Sequence, residues 1–176
     1  MKTWFITGIA RGLGHSLAKA ALSRGDRVVG TARKPVSFAG VDEHQLLILQ
    51  VDLANKQDAD AVVKSAFKWA GHIDVIVNNA GYGLLGAVEN ATGDEIERLF
   101  QVNVFAPISI IRAALPYLRR QSSGHVINIT SIAGRAPGAG IALYAATKYA
   151  MEGFSASLAQ EVTPYGIKVT AVAPGQ

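Results

Sequence analysis

Three side chains in the last third of the chain have the types and spacing for proton transfer: Ser131, Tyr144 and Lys148. The run Tyr144-Ala-Ala-Thr-Lys148 puts a phenol and an ammonium four residues apart. On a helix that spacing places both on one face, about a turn apart. A free phenol ionises near pH 10, and a neighbouring cation is the simplest way to favour its phenolate. Ser131 lies across a glycine-rich loop, Gly134 to Gly140, from the same helix. Its hydroxyl can reach the same small volume and steady an oxygen on which charge develops. A tyrosine and a lysine at this spacing also pack for purely structural reasons. The serine makes the set a candidate for chemistry.

A second group could hold an anion. Lys2 to Thr7 is a short apolar run suited to a strand, and Gly8, Gly12 and Gly14 follow at once. Leu13, Leu17 and Ala18 then open a helical pattern. A strand, a glycine turn holding Ala10 and Arg11, and a helix start make a place for a diphosphate. Glycine lets the backbone approach, and the helix N-terminus offers free N–H groups. The second strand, Asp26 to Thr31, ends beside what would be the adenosine ribose. No acid stands between Asp26 and Asp42; Ala32, Arg33 and Lys34 are there instead. Arg11 and Arg33 together suit a 2′-phosphate, which a guanidinium grips with two hydrogen bonds. The competing reading is a solvated basic loop.

The elements that must position these groups alternate strand and helix. Helix is expected over Leu13–Arg24, with Gly25 as its stop. Leu46–Val51 is a nearly continuous apolar run, expected to be a parallel strand covered on both faces. Helix follows over Lys56–Ala70, burying Ala59, Val62, Val63, Ala66 and Phe67. The fourth strand, Ile73–Val77, runs into Asn78-Asn79-Ala80-Gly81, where amide side chains can pair with backbone left free by the turn. Thr92 and Glu95 have capping-box spacing. Two helical segments meet at Asn103, the second running to Arg120, with Pro116 expected to bend or shorten it. His125–Thr130 is the fifth strand, a helix begins near Tyr144, and Ile167–Ala173 is the sixth strand. This pattern specifies an α/β doubly wound parallel sheet with helices on both faces, in one domain over residues 1–176.

Composition removes several classes. Hydrophobic residues are 49% and charged residues 17%, as in a folded globular chain. With no cysteine there is no disulfide, thiol catalysis or thiolate metal site. The four histidines lack ligand spacing, so no metal is expected. A net charge of +4 without a basic run gives no case for nucleic acid. Charges or glycines interrupt each apolar run before membrane-spanning length. Met1-Lys2 leads straight into the first strand, leaving no room for a signal peptide, and a cytoplasmic location is expected.

Six marks occur in order: Thr7-Gly8-x-x-x-Gly12-x-Gly14, Asp52, Asn78-Asn79-Ala80-Gly81, Ser131, Tyr144-x-x-x-Lys148 and Pro174-Gly175. Together they resemble the short-chain dehydrogenase/reductase family, from Lys2 to Gly175. The resemblance implies an oxidoreductase moving hydride between a nicotinamide and a carbonyl or alcohol carbon, with NADP(H) favoured over NAD(H) by the arginines. It implies catalytic roles for Asn103, Ser131, Tyr144 and Lys148, with Tyr144 as acid/base and Asn103 kinking its helix pair and anchoring a water. It implies cofactor contacts from Gly8, Ala10, Arg11, Gly12, Leu13, Gly14, Arg33, Asp52, Leu53, Asn79, Ala80, Gly81, Tyr144, Lys148, Pro174 and Gly175. Asp52 would meet the adenine edge, unless it merely caps the next helix. Ala10 stands where many members carry serine. A small-molecule carbonyl or alcohol is the implied substrate, with Gly83, Leu84, Leu85, Ala136 and Ala139 as an apolar wall. A homodimer or homotetramer through the helices near 104–120 and 143–162 is also implied. So is a further C-terminal segment, carrying a substrate lid and a seventh strand; the exposed edge of the sixth strand points the same way. Rival readings are a cofactor-sensing regulator without chemistry, an NAD-dependent alcohol dehydrogenase, and a sugar-nucleotide epimerase. The three-residue gap between Gly8 and Gly12 disfavours the last.

Overall fold

The computed structural model describes residues 1–56 and 58–175. Six strands form one parallel sheet: β1 (Thr3–Thr7), β2 (Arg27–Ala32), β3 (Leu46–Gln50), β4 (Val75–Asn78), β5 (Gly124–Ile129) and β6 (Ile167–Val172). Their order is β3-β2-β1-β4-β5-β6, so the winding reverses between β1 and β4. The helices are α1 (Gly12–Ser23), α2 (Asp58–Ala70), α3 (Gly93–Phe100), α4 (Ala106–Gln121) and α5 (Ala142–Val162).

Alternation along the strands divides the core in two. Phe5, Val29, Ile76 and Val126 turn to one face, where they meet Val63 and Phe67 of α2, Ile110 and Leu118 of α4, and Leu158 and Val162 of α5. Ile6, Val28, Val75 and Val77 turn to the other, under Ala18, Ala21 and Leu22 of α1. The Phe67 and Tyr117 rings stack at 4.2 Å and join α2 to α4. The architecture is the expected doubly wound α/β sheet.

One local expectation is refined and three are corrected. The apolar run at Leu46 is a parallel strand with cover on both faces, as expected, but it lies at the sheet edge and is only half-buried along Leu46–Leu49, because among the described residues β3 pairs only with β2. Its apolar character reflects cover on its faces and not a central place. Ile73 precedes β4 and does not belong to it: its N–H and C=O bond the Gln121 side chain instead of a strand. Pro116 does not shorten α4, which runs on to Gln121. Finally, Gly93–Gln121 is one unbroken helical rod, long and apolar enough by composition to cross a membrane. Its apolar face is spent within the fold, where Leu99, Ile110, Ile111, Ala114 and Leu118 are buried.

The rod is continuous because α3 passes into α4 through a π-helical turn, Gln101–Phe105, in which the Ala106 N–H bonds the Gln101 carbonyl. Its start is fixed by the capping box read from sequence: Thr92 Oγ1 accepts from Glu95 N–H, and Glu95 accepts from Thr92 N–H.

Candidate active site

The sheet topology decides where ligands meet this fold. At the C-terminal ends of β1 and β4, where the winding reverses, the chain leaves a crevice. The glycine turn after β1 and the Asn78–Gly81 turn after β4 form its two lips.

The first lip is built for close approach. Gly12 has φ +59° with nothing within 4 Å of a would-be Cβ, so the backbone conformation alone demands glycine. At Gly14 a Cβ would collide with the Gly8 carbonyl and the Asn79 amide. That amide is the brace between the lips. Asn79 Nδ2 donates to the Thr7 carbonyl at 2.9 Å and the Gly8 carbonyl at 3.2 Å. Thr7 Oγ1 answers by accepting from the N–H groups of Asn79 and Ala80, each at 3.0 Å. The expectation that these amides serve backbone groups at the turn is met by Asn79 alone; Asn78 Nδ2 donates instead to the Asn128 side chain at 2.8 Å, because it is still within β4 and faces β5.

Above this turn, α1 begins at Arg11 with no capping side chain and no acid in its first turn. Its opening N–H groups are therefore available to an anion. Arg11 and Arg33 are both exposed. Open N–H groups, a backbone that side chains cannot crowd, and two arginines fit the diphosphate and 2′-phosphate of NADP(H). No such molecule is part of the structure.

Asp52 does not cap the helix that follows, since α2 begins only at Asp58. One oxygen accepts from the Ala54 N–H at 3.0 Å and the other from Arg98 at 3.0 Å. Burial pushes its carboxyl upward, but the Ala54 and Arg98 hydrogen bonds, with the charges of Arg98 and Arg33, outweigh this and hold it below the usual range. Arg98 went unnoticed in the sequence because its partner is forty-six positions away. Leu53 turns its side chain into the core, leaving only its backbone to any ligand. The Leu13 side chain is exposed, as are Ala10 and Gly175.

The second constellation gathers on α5. Lys148 Nζ sits 5.5 Å from the centroid of the Tyr144 ring, and the Tyr144 hydroxyl bonds no group of the described residues. Lys148 is buried, 6% exposed, and donates to the Ile129 carbonyl at the end of β5 (2.9 Å). Burial lowers its pKa from 10.5 to about 8. Because the folded value lies below the unfolded one, the folded protein sheds this proton first. The burial cost is present in full below pH 8 and is relieved between pH 8 and 10.5, where stability from this group rises with pH. Urea unfolding across that range should show the rise in wild type and lack it in Lys148→Met. Equal pH dependence in the two proteins would mean the lysine is not buried as a cation.

Asn103, in the π-turn, is 3% exposed and fully engaged. Its Nδ2 donates to the Tyr82 carbonyl (2.8 Å) and to Thr147 Oγ1 (3.1 Å), and its Oδ1 accepts from the Tyr82 N–H (3.1 Å). Both amide hydrogens are spent, and the oxygen faces Gly81, where a Cβ would lie 3.1 Å away. The side chain thus ties the loop after β4 to α5. Thr147 completes the tie by donating to the Tyr144 carbonyl at 2.7 Å. Its place inside the Tyr-x-x-x-Lys run was visible, but nothing marked it as the contact.

Ser131 caps a short 3-10 turn, Ile132–Gly134, its Oγ accepting from the Ala133 N–H at 3.1 Å. Pro174 reaches this turn through its carbonyl, which accepts from the Ile132 N–H. Beside Tyr144 lies Gly83, where a Cβ would be 3.9 Å from the ring. A cavity of about 110 Å³ opens nearby, walled by Leu84, Leu85, Ala87, Ala91 and Leu143 with Glu95 at one side. Ala136 and Ala139, expected in the same wall, do not line it. Among the described residues, no three His, Asp or Glu gather as a metal set.

Known proteins share this fold. An oxidoreductase, BOA17, of Botryotinia fuckeliana is 39% identical over 99% of this chain. The chain spans less than two thirds of the curated relatives it first matches, 65% of this one and 62% of the next. A short-chain dehydrogenase from Streptomyces avermitilis superposes with a TM-score of 0.91 at 39% identity, over 100% of this chain and 67% of its own. A metagenomic short-chain oxidoreductase crystallised with NADP also reaches 0.91, at 33% identity, covering 99% of this chain and 82% of its own. The family model described as short chain dehydrogenase matches residues 2–176, the whole sheet with both lips of its crevice, and to that family this chain belongs.

Proposed function

We propose that the protein is an NADP(H)-dependent oxidoreductase interconverting a ketone or aldehyde with the corresponding alcohol. The observation that carries this is the pairing on α5: a phenol whose hydroxyl bonds no group of the described residues, an ammonium 5.5 Å from its ring centroid, and both beside a crevice fit for a dinucleotide. The cofactor supplies or accepts the hydride. Tyr144 gives its phenolic proton to the carbonyl oxygen in reduction and takes it back in oxidation. Lys148 provides positive charge next to the phenol. Ser131, whose hydroxyl hydrogen is not used in capping its own turn, donates to the substrate oxygen. Asn103 holds the loop carrying Tyr82 and Gly83 against α5. The Gly8–Gly14 turn, Arg11 and Arg33 hold the diphosphate and 2′-phosphate, and Ala80, Gly81 and Pro174 line the crevice between them. The cavity beside Leu143, lined by Leu84 and Leu85 together with Asn90 and Glu95, supports a substrate with a small substituent that is part hydrocarbon and part polar. Crystallisation of a 33%-identical neighbour with NADP supports the cofactor.

The test is the loss of NADPH absorbance with a panel of aliphatic, aromatic and cyclic ketones and aldehydes. Turnover with none of them, in a protein that binds NADPH, would favour the cofactor-sensing regulator. We also propose a homo-oligomer, supported by the exposed rings of Phe105 (51%) and Tyr149 (46%) on the rod and on α5. Sedimentation equilibrium should return at least twice the chain mass; a monomer at micromolar concentration would overturn it.

A further inference from the structure

Ser131 has to be held at a fixed place relative to Tyr144, yet it sits in a turn between a strand end and an exposed glycine-rich loop. What holds it comes from α5. Successive turns of that helix grip successive residues at the end of β5. Lys148 Nζ takes the Ile129 carbonyl at 2.9 Å. Four residues on, Glu152 Oε1 accepts from Thr130 Oγ1 at 2.5 Å. The other carboxylate oxygen, Oε2, pairs with Arg135 at 3.2 Å. Thr130 immediately precedes Ser131, and Arg135 immediately follows its 3-10 turn. One carboxylate thus closes both ends of the serine's segment.

The geometry points to Glu152 as a positioning residue that sets Ser131 against Tyr144 by clamping residues 130–135 to the helix that carries the tyrosine. Two other contacts make the clamp close-fitting. Tyr149 Oη donates to the Arg135 carbonyl at 2.9 Å. Gly134 rests so near the Lys148 backbone that a Cβ would lie 2.9 Å from its carbonyl carbon. Thr130 is 2% exposed and its N–H also bonds the Val172 carbonyl at 2.7 Å, so the clamp ties β5, β6 and α5 at one point. The Glu152 side chain is only 21% exposed, which strengthens charge-assisted hydrogen bonds relative to those in open solvent. Small misplacements of a group that meets the reacting atoms cost rate steeply. The effect should therefore appear in turnover and not in cofactor binding, because the two groups that the Glu152 carboxylate bonds, Thr130 and Arg135, are not among the residues proposed to hold the cofactor.

This inference rests on the proposed carbonyl reduction, and two readouts separate them. Glu152→Ala should lower kcat about 10-fold or more, and Glu152→Gln, which keeps an acceptor for Thr130 but loses the ion pair, should lower it less. NADPH affinity should stay within about twofold of wild type in both. Adding Glu152→Ala to Ser131→Ala should cost little more, because the clamp acts through the serine. Independently of activity, hydrogen exchange at the Ala133 N–H should quicken in Glu152→Ala. Full turnover in a folded Glu152→Ala or Glu152→Gln protein overturns the proposal. A multiplicative loss in the Ser131→Ala background does so as well, since the residue would then act by another route. If wild type reduces no carbonyl, the functional reading fails, while unchanged exchange at Ala133 would sink the clamp on its own.

Discussion

Tyr144→Phe should lose at least ~10²-fold in turnover while binding NADPH as wild type does. The tyrosine hydroxyl bonds no group of the described residues, so its removal breaks no structural hydrogen bond. The half-buried ring keeps its place beside Gly83 and Lys148. Stability should therefore change by less than about 0.5 kcal/mol, the range for substitutions that disturb no buried feature. A hundredfold loss corresponds to about 2.7 kcal/mol of transition-state stabilisation, assigned here to one proton. Stopped-flow reduction of a responsive ketone, beside a thermal melt and a cofactor titration, measures all three quantities. A variant with near-normal turnover would remove Tyr144 from the chemistry. A variant that also loses cofactor would make the phenol part of the binding surface instead.

The order of elements was legible because parallel strands buried between helices are written as apolar runs, and glycines at 25 and 71 punctuate them. The approach of Lys148 to Tyr144 was legible for a similar reason, since helical periodicity alone brings residues four apart together. What escaped depended on distance along the chain. The edge position of β3 follows from strand order, which no single strand encodes. Arg98 meets Asp52, and Glu152 meets Thr130, only after the sheet has assembled. The π-helical turn at Asn103 was half visible: an asparagine within a long apolar helix signals a special position. Its partners, Tyr82 and Thr147, lie on two other elements. Local propensity and spacing thus specify the scaffold, and the side chains that brace the site are chosen by tertiary contact.

The cofactor preference should turn on Arg33. This residue ends on the exposed rim after β2, and its charge reaches the Asp52 carboxyl beyond the end of the neighbouring strand β3. Hydrogen bonds to charged groups are worth about 1.5–3 kcal/mol, so losing a guanidinium from the 2′-phosphate should weaken NADPH by about 10- to 100-fold. Arg33→Asp adds repulsion, because a carboxylate then faces the phosphate. The same carboxylate can accept from a 2′-hydroxyl, so NADH should bind more tightly than it does to wild type. Arg33→Ala separates the two effects, weakening NADPH without improving NADH. Arg11, at the α1 N-terminus, leaves a residual NADPH preference in Arg33→Ala, whereas Arg33→Asp should reverse the preference. Fluorescence titrations with both cofactors read each affinity directly, and raising salt should erode the NADPH advantage of wild type first. If wild type binds NADPH and NADH equally, or if Arg33→Asp leaves their ratio unchanged, the two arginines are ordinary surface charge and the preference has no source in this rim.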